Sequence, residues 1–209
     1  MTEDDILLEQ YRSKGGLQAL QIGSGSANKN GWLNSDVKRH TPETFVLDAT
    51  QHFPLPDDFF DYVYAEHIIE HIEYHEGCFM LRECRRVLKS GGVVRIVTPS
   101  ISFLLGLFST DRSAVQDSYL NWSVKNYVHP SLPPLPAFTF NLFVRAWGHR
   151  FIYDRDALRR AFSEAGFSDI TECKLGESEH PFLHKLENAA RMPEGFLALE
   201  SMIFEGTKR

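Results

Sequence analysis

Short apolar runs alternate with segments of helical period along most of the chain. Residues 4–12 place Ile6, Leu7 and Leu8 in a short predicted helix, which Gly15-Gly16 breaks. An apolar run then begins at Leu17 and stops at Gly23 and Gly25, the pattern of a strand entering a glycine turn. Residues 32–37 and 44–48 read as short strands, and 59–65, dense in aromatics and Val, reads as a buried one. Ile68, Ile69 and Ile72 recur at helical spacing over 66–74. Met80, Leu81, Cys84, Val87 and Leu88 mark an amphipathic helix over 80–88, and Gly91-Gly92 stops it. Residues 93–98 are a short apolar strand closed by Pro99.

From 101 to 150 the periodicity fades, while prolines (Pro130, Pro133, Pro134, Pro136) and aromatics accumulate. So long a stretch predicts a lid or binding insertion, and its aromatic content argues against disorder. Order returns at Asp154, an N-cap for a helix with Leu158, Ala161, Phe162 and Ala165 on one face and Gly166 as its stop. Residues 167–174 and 197–204 read as strands joined through a helical stretch over 182–190. Strand and helix alternate throughout, so the expected fold is α/β: a doubly wound, mostly parallel sheet covered on both faces, in one domain over 1–209.

Composition narrows the function classes. A formal charge of −6 removes any general attraction to phosphate backbones, so nucleic acid is not favoured. Three widely spaced cysteines, Cys78, Cys84 and Cys173, form neither a disulfide framework nor a paired ligand motif, which suggests a reducing compartment. The acidic start differs from a signal peptide and no apolar run approaches a membrane span, so a cytoplasmic location is expected. Oligomeric state is left open.

Taken in order, QIGSG, GWLNSD, LDATQHFPLPDDFFDYVYAEHIIEHI, LRECRRVLKSGGVVRIVTPS and DRDALRRAFSEAGF resemble the class I S-adenosylmethionine-dependent methyltransferases, in particular the small methyltransferase-domain enzymes of bacteria. The resemblance implies a seven-stranded Rossmann-like sheet with the 101–150 insertion after its fifth strand, and S-adenosylmethionine as cofactor with S-adenosylhomocysteine as product. It also implies a cofactor site assembled from Gly23, Ser24, Gly25, Asp36, Val37, Asp48, Ala49, Ala65, Glu66 and His67. Glycine amides would border the amino-acid part of the cofactor, Asp36 could accept both ribose hydroxyls, and Asp48 could accept the adenine amine. Such ligands sit beyond the carboxyl ends of parallel strands. Gln21 stands where the family commonly carries an acid for the cofactor's ammonium group. Only 13 positions separate Gly23 from Asp36, so the first crossover helix must be short or absent.

The expected reaction is transfer of a methyl group to a small-molecule acceptor, a sugar, lipid or secondary metabolite. His149 and His129 in the insertion are the candidate bases, because imidazole titrates near neutral pH. Tyr119, Trp122, Tyr127 and Trp147 are read as the lid's own apolar core or as stacking surfaces for a flat acceptor. His67-Ile-Ile-Glu70-His71 also fits the inverted zinc-protease pattern. No third ligand is signalled and the surroundings are those of the methyltransferase sheet, so no metal is expected; His67 is assigned to cofactor or substrate and His71 to packing or a structural hydrogen bond. Two other functions stay open: an NAD-dependent oxidoreductase, which lacks its third glycine at Asn28, and a non-catalytic binding module of the same fold.

Overall fold

A computed structural model describes residues 2–209. Its centre is a seven-stranded sheet in the order β3-β2-β1-β4-β5-β7-β6. The strands are β1 (Ala19–Ile22), β2 (Leu33–Asp36), β3 (Phe45–Val46), β4 (Phe60–Glu66), β5 (Leu88–Pro99), β6 (Ser168–Cys173) and β7 (Ser201–Thr207). Neighbours from β3 to β5 pair in parallel, and β7 runs antiparallel to both β5 and β6. This is the mostly parallel α/β sheet that the alternation of elements predicts. Strands β1 and β4 are buried along most of their length, as central parallel strands must be.

One face is covered by conventional helices. Helix α1 (Glu3–Ser13) begins in a capping box between Thr2 and Asp5, and its Tyr11 hydroxyl bonds Ala19 at the start of β1. Helices α2 (Tyr74–Val87) and α6 (Arg155–Glu164) bring Met80, Leu81, Cys84, Leu158, Ala161 and Phe162 into the largest apolar cluster. Each such side chain contributes about 1.5–3 kcal/mol when fully buried.

The other face is built differently. No helix joins β1 to β2, as the short spacing requires. Gln21 and Asn34 hold the connecting loop instead, both accepting the Lys29 amide. The apolar surface that this leaves is covered by the segment between β6 and β7, whose Phe182 stacks on Trp32 and Tyr62 and whose Leu183 is fully buried. Arg95 of β5 lies beneath it with no exposure, paired to Glu187 of the covering segment and Glu205 of β7. That segment was expected to be helical over 182–190. It contains two single 3-10 turns, Pro181–Leu183 and Ala189–Arg191, because stacking and ion pairing fix it without a continuous helix.

Four further expectations need correction. The 66–74 stretch forms one 3-10 turn, Ile69–His71, rather than a helix, since His67 takes a left-handed φ of 54° and turns the chain directly after β4. Helix α2 starts six residues ahead of the apolar stripe at Met80, and β5 begins before the Gly91-Gly92 pair. Residues 101–150 contain three helices, α3 (Ile101–Gly106), α4 (Ala114–Tyr127) and α5 (Pro136–Arg145). Their aromatics cluster among themselves, so no simple apolar stripe faces the sheet. The first part of 197–204 is a short helix, α7 (Phe196–Glu200), that delivers Glu200 to the head of β7.

Candidate functional site

The carboxyl ends of β1 to β4 carry the predicted cofactor residues. Gly23 follows β1 at φ 72°, and a Cβ there would sit 1.9 Å from Ile68 Cδ1, so both conformation and space call for glycine. The Gly25 amide donates to Asp36 Oδ2 at 2.9 Å, drawing the glycine turn across the end of β2. Buried Ser24 gives its amide to the Ser35 carbonyl at 2.9 Å. Val37 is exposed beside Asp36, and Asp48, also exposed, accepts the Thr50 amide and hydroxyl just beyond β3, with Ala49 half-buried next to it.

Ala65 departs from the expected role. Its side chain lies in the apolar core, so only its main chain can border a ligand. Glu66, next along β4, accepts the Tyr64 hydroxyl on Oε2 at 2.9 Å, while its Oε1 is buried without a hydrogen-bond partner. A buried carboxylate oxygen left unpaired costs free energy until a donor reaches it.

A cavity of about 250 Å³ opens beside this rim, at the ends of β4 and β5. Its walls include Tyr119, Trp122, Tyr127 and Trp147, and its polar groups are His67, His149, Arg191 and Glu200. Tyr119 and Trp122 join the insertion's apolar cluster, and all four aromatics line the cavity. His67 Nδ1 lies 3.0 Å from Glu70 Oε1, and its Nε2 lies 3.4 Å from Ser201 Oγ and 4.0 Å from Glu200 Oε1. Burial alone would raise the Glu70 carboxyl, but the neighbouring His67 ring outweighs it and holds the group below its usual value. Burial wins at Glu200, which is pushed up although the Tyr119 hydroxyl bonds it. His149 donates from Nδ1 to the Phe143 carbonyl at 2.7 Å, and burial lowers its pKa, favouring the neutral ring.

Of the two histidines proposed as bases, only His149 reaches the cavity. His129 is exposed on the proline-rich connection between α4 and α5 and bonds Ser131. Sequence reasoning passed over Glu70, Glu200, Ser201 and Arg191. Glu70 was visible within the H-x-x-E-H string, but Glu200 carries no local signal, because its place depends on β7 reversing beside β5.

Residues 20–96 match the family model described as "Methyltransferase domain". That match runs from β1 into β5, and the fold of the whole chain is similar to that of the class I S-adenosylmethionine-dependent methyltransferases. Its fold is similar to that of an S-adenosylmethionine-dependent methyltransferase from Archaeoglobus fulgidus, with a TM-score of 0.54, 16% identity, and coverage of 99% of this chain and 95% of that one. A second, from Thermotoga maritima, gives 0.52 at 16% identity, covering 97% and 89%. A Haloferax volcanii protein solved in complex with the Trm112 methyltransferase activator gives 0.53 at 13% identity, covering 98% and 93%. No curated protein matches the chain. Among the described residues, no helix is long and apolar enough to cross a membrane.

Proposed function

We propose that the protein transfers the methyl group of S-adenosylmethionine to a small-molecule acceptor bound in the aromatic cavity. The observation that carries this reading is the cavity itself: about 250 Å³, aromatic-walled, and reached at the end of β4 by His67, one of the residues expected at the cofactor rim. That volume suits a small acceptor better than a polymer segment.

The residues at the rim fit the cofactor. The unpaired Glu66 Oε1 is an acceptor for the ammonium group, taking the role that Gln21 cannot fill, since Gln21 is occupied in holding its own loop. Asp36 and Asp48 offer carboxylates to the ribose and the adenine amine, and Gly23, Gly25, Val37 and Ala49 border the nucleoside and amino-acid portions. The cofactor supplies an activated methyl carbon on a sulfonium. The chain's contribution is to align the acceptor, exclude water and take up a proton where the acceptor is a hydroxyl or ammonium.

His67 is the side chain best suited to that proton transfer, because it joins the rim to the cavity and has a buried carboxylate at Nδ1 to orient it. His149 forms the opposite wall, and Trp122, Tyr127 and Trp147 offer ring faces for stacking. A thermal-shift panel of S-adenosylmethionine, S-adenosylhomocysteine and NAD tests the cofactor assignment. A ligand at a hundred times its Kd adds about 2.7 kcal/mol, several degrees of midpoint for this size. Response to NAD with indifference to both adenosyl compounds would overturn it.

A further inference from the structure

The zinc-protease string was set aside because it signalled no third ligand, and the fold now supplies one from 78 positions away. One donor atom each from Glu70, His71 and His149 lie within 4.8 Å of one another. This is not the grip the string encodes. There, two imidazoles of one helix hold the metal and the glutamate stays free, whereas here the stretch is a single 3-10 turn and His67 faces Glu70 and Ser201.

We propose that Glu70, His71 and His149 bind a divalent transition-metal ion, with zinc the expected occupant. Two imidazole nitrogens and one carboxylate oxygen form a ligand set that zinc accepts, leaving a fourth position for water. Donors around tetrahedral zinc stand about 3.4 Å apart. Up to about 1.4 Å must therefore close on binding, and the exposed His71 ring is the donor most free to move.

The other two donors are already held. Nδ1 of His149 is committed to the Phe143 carbonyl, which would leave Nε2 to meet a metal, the outer-shell arrangement typical of metal-binding histidine. Glu70 is fully buried, and its Oε2 takes the Thr98 hydroxyl at 3.1 Å. Its Oε1 makes no hydrogen bond of good geometry although His67 Nδ1 is 3.0 Å away, so a buried carboxylate oxygen still has capacity for a cation. The Glu70 carbonyl accepts the amides of Arg150 and Phe151, which pins the chain on either side of the site. The His71 and His149 rings meet at 4.9 Å between centroids with an interplanar angle of 72°. The ion would clip the exit of the 101–150 insertion to the turn after β4, at the wall of the acceptor cavity.

Metal binding can be read without any methyl transfer, so its failure is distinct from failure of the proposed activity. Chelator-stripped protein is titrated with Zn²⁺ against a chromophoric competitor, and with Co²⁺ while visible absorption is recorded. One equivalent should bind wild type, with affinity falling more than about tenfold in His71→Ala and His149→Ala. His75→Ala, which removes a neighbouring exposed histidine, should leave the affinity unchanged. Glu70→Gln, close in size, should show the same loss, and circular dichroism on each variant separates lost ligands from a lost fold. No stoichiometric uptake by wild type, equal binding by the His71 and His75 variants, or a thiolate-to-cobalt charge-transfer band from the cysteines would each overturn the assignment.

Discussion

The glycine-turn rim and the aromatic cavity share one end of the sheet, yet they are built by opposite means. The rim is made of turns: a left-handed glycine, an aspartate gathering a nearby amide, and another aspartate closing on its own next residues. The cavity is made of side chains that converge from β4, β5, α4, α5 and the segment before β7. Local turn chemistry is set by a few adjacent residues. A convergent wall changes whenever any of several remote elements moves. This is why the rim is legible in the sequence and the cavity is not.

Four experiments would sharpen or break that contrast. The largest effect is expected at His67, where rim and cavity meet: His67→Ala should lower the methyl-transfer rate by about 10²-fold or more while S-adenosylhomocysteine affinity changes little. Equal loss of rate and cofactor affinity would return His67 to the rim. Asp36→Ala should act in the opposite sense, weakening S-adenosylhomocysteine binding by about tenfold to a hundredfold in calorimetry, the equivalent of roughly 1.5–3 kcal/mol for hydrogen bonds to a charged acceptor. The rate at saturating cofactor should then be nearly preserved.

Trp122→Ala belongs to the cavity alone and should raise KM for the acceptor by about tenfold or less, in line with the ~0.5–1.5 kcal/mol attributed to an aromatic pair. A change in cofactor affinity of the same size would mean that the two regions are one. The smallest effect is a pH dependence at Glu200. Burial raises this carboxyl above its usual value near 4.5, so ionising it costs more in the folded chain than in the unfolded one. The stabilising difference is present below the unfolded value and fades as pH rises through the raised folded one. Glu200→Gln should therefore gain melting temperature relative to wild type as pH climbs from about 4 to 7. A flat difference across that range would mean that the carboxylate is fully compensated by Tyr119 and Arg191.

Insertion 101–150 shows how far each kind of information reaches. Its aromatics and prolines predicted an ordered insertion, and it is ordered, but its three helices were invisible because they bury aromatics against one another rather than presenting a stripe to the sheet. The strap over the second face is similar: Phe182 and Glu187 become structural only when Trp32, Tyr62 and Arg95 lie beneath them.

By itself the sequence determined the alternation of strand and helix, the glycine turn after β1, the acidic ends of β2 and β3, and the missing crossover helix, since each follows from the conformational limits of a few adjacent residues. Only the tertiary structure decided which histidine faces the aromatic cavity, that Glu200 meets His67, and that His149 comes to Glu70 and His71. Those meetings join positions scores of residues apart, and their geometry is set by sheet order and by the reversal of β7.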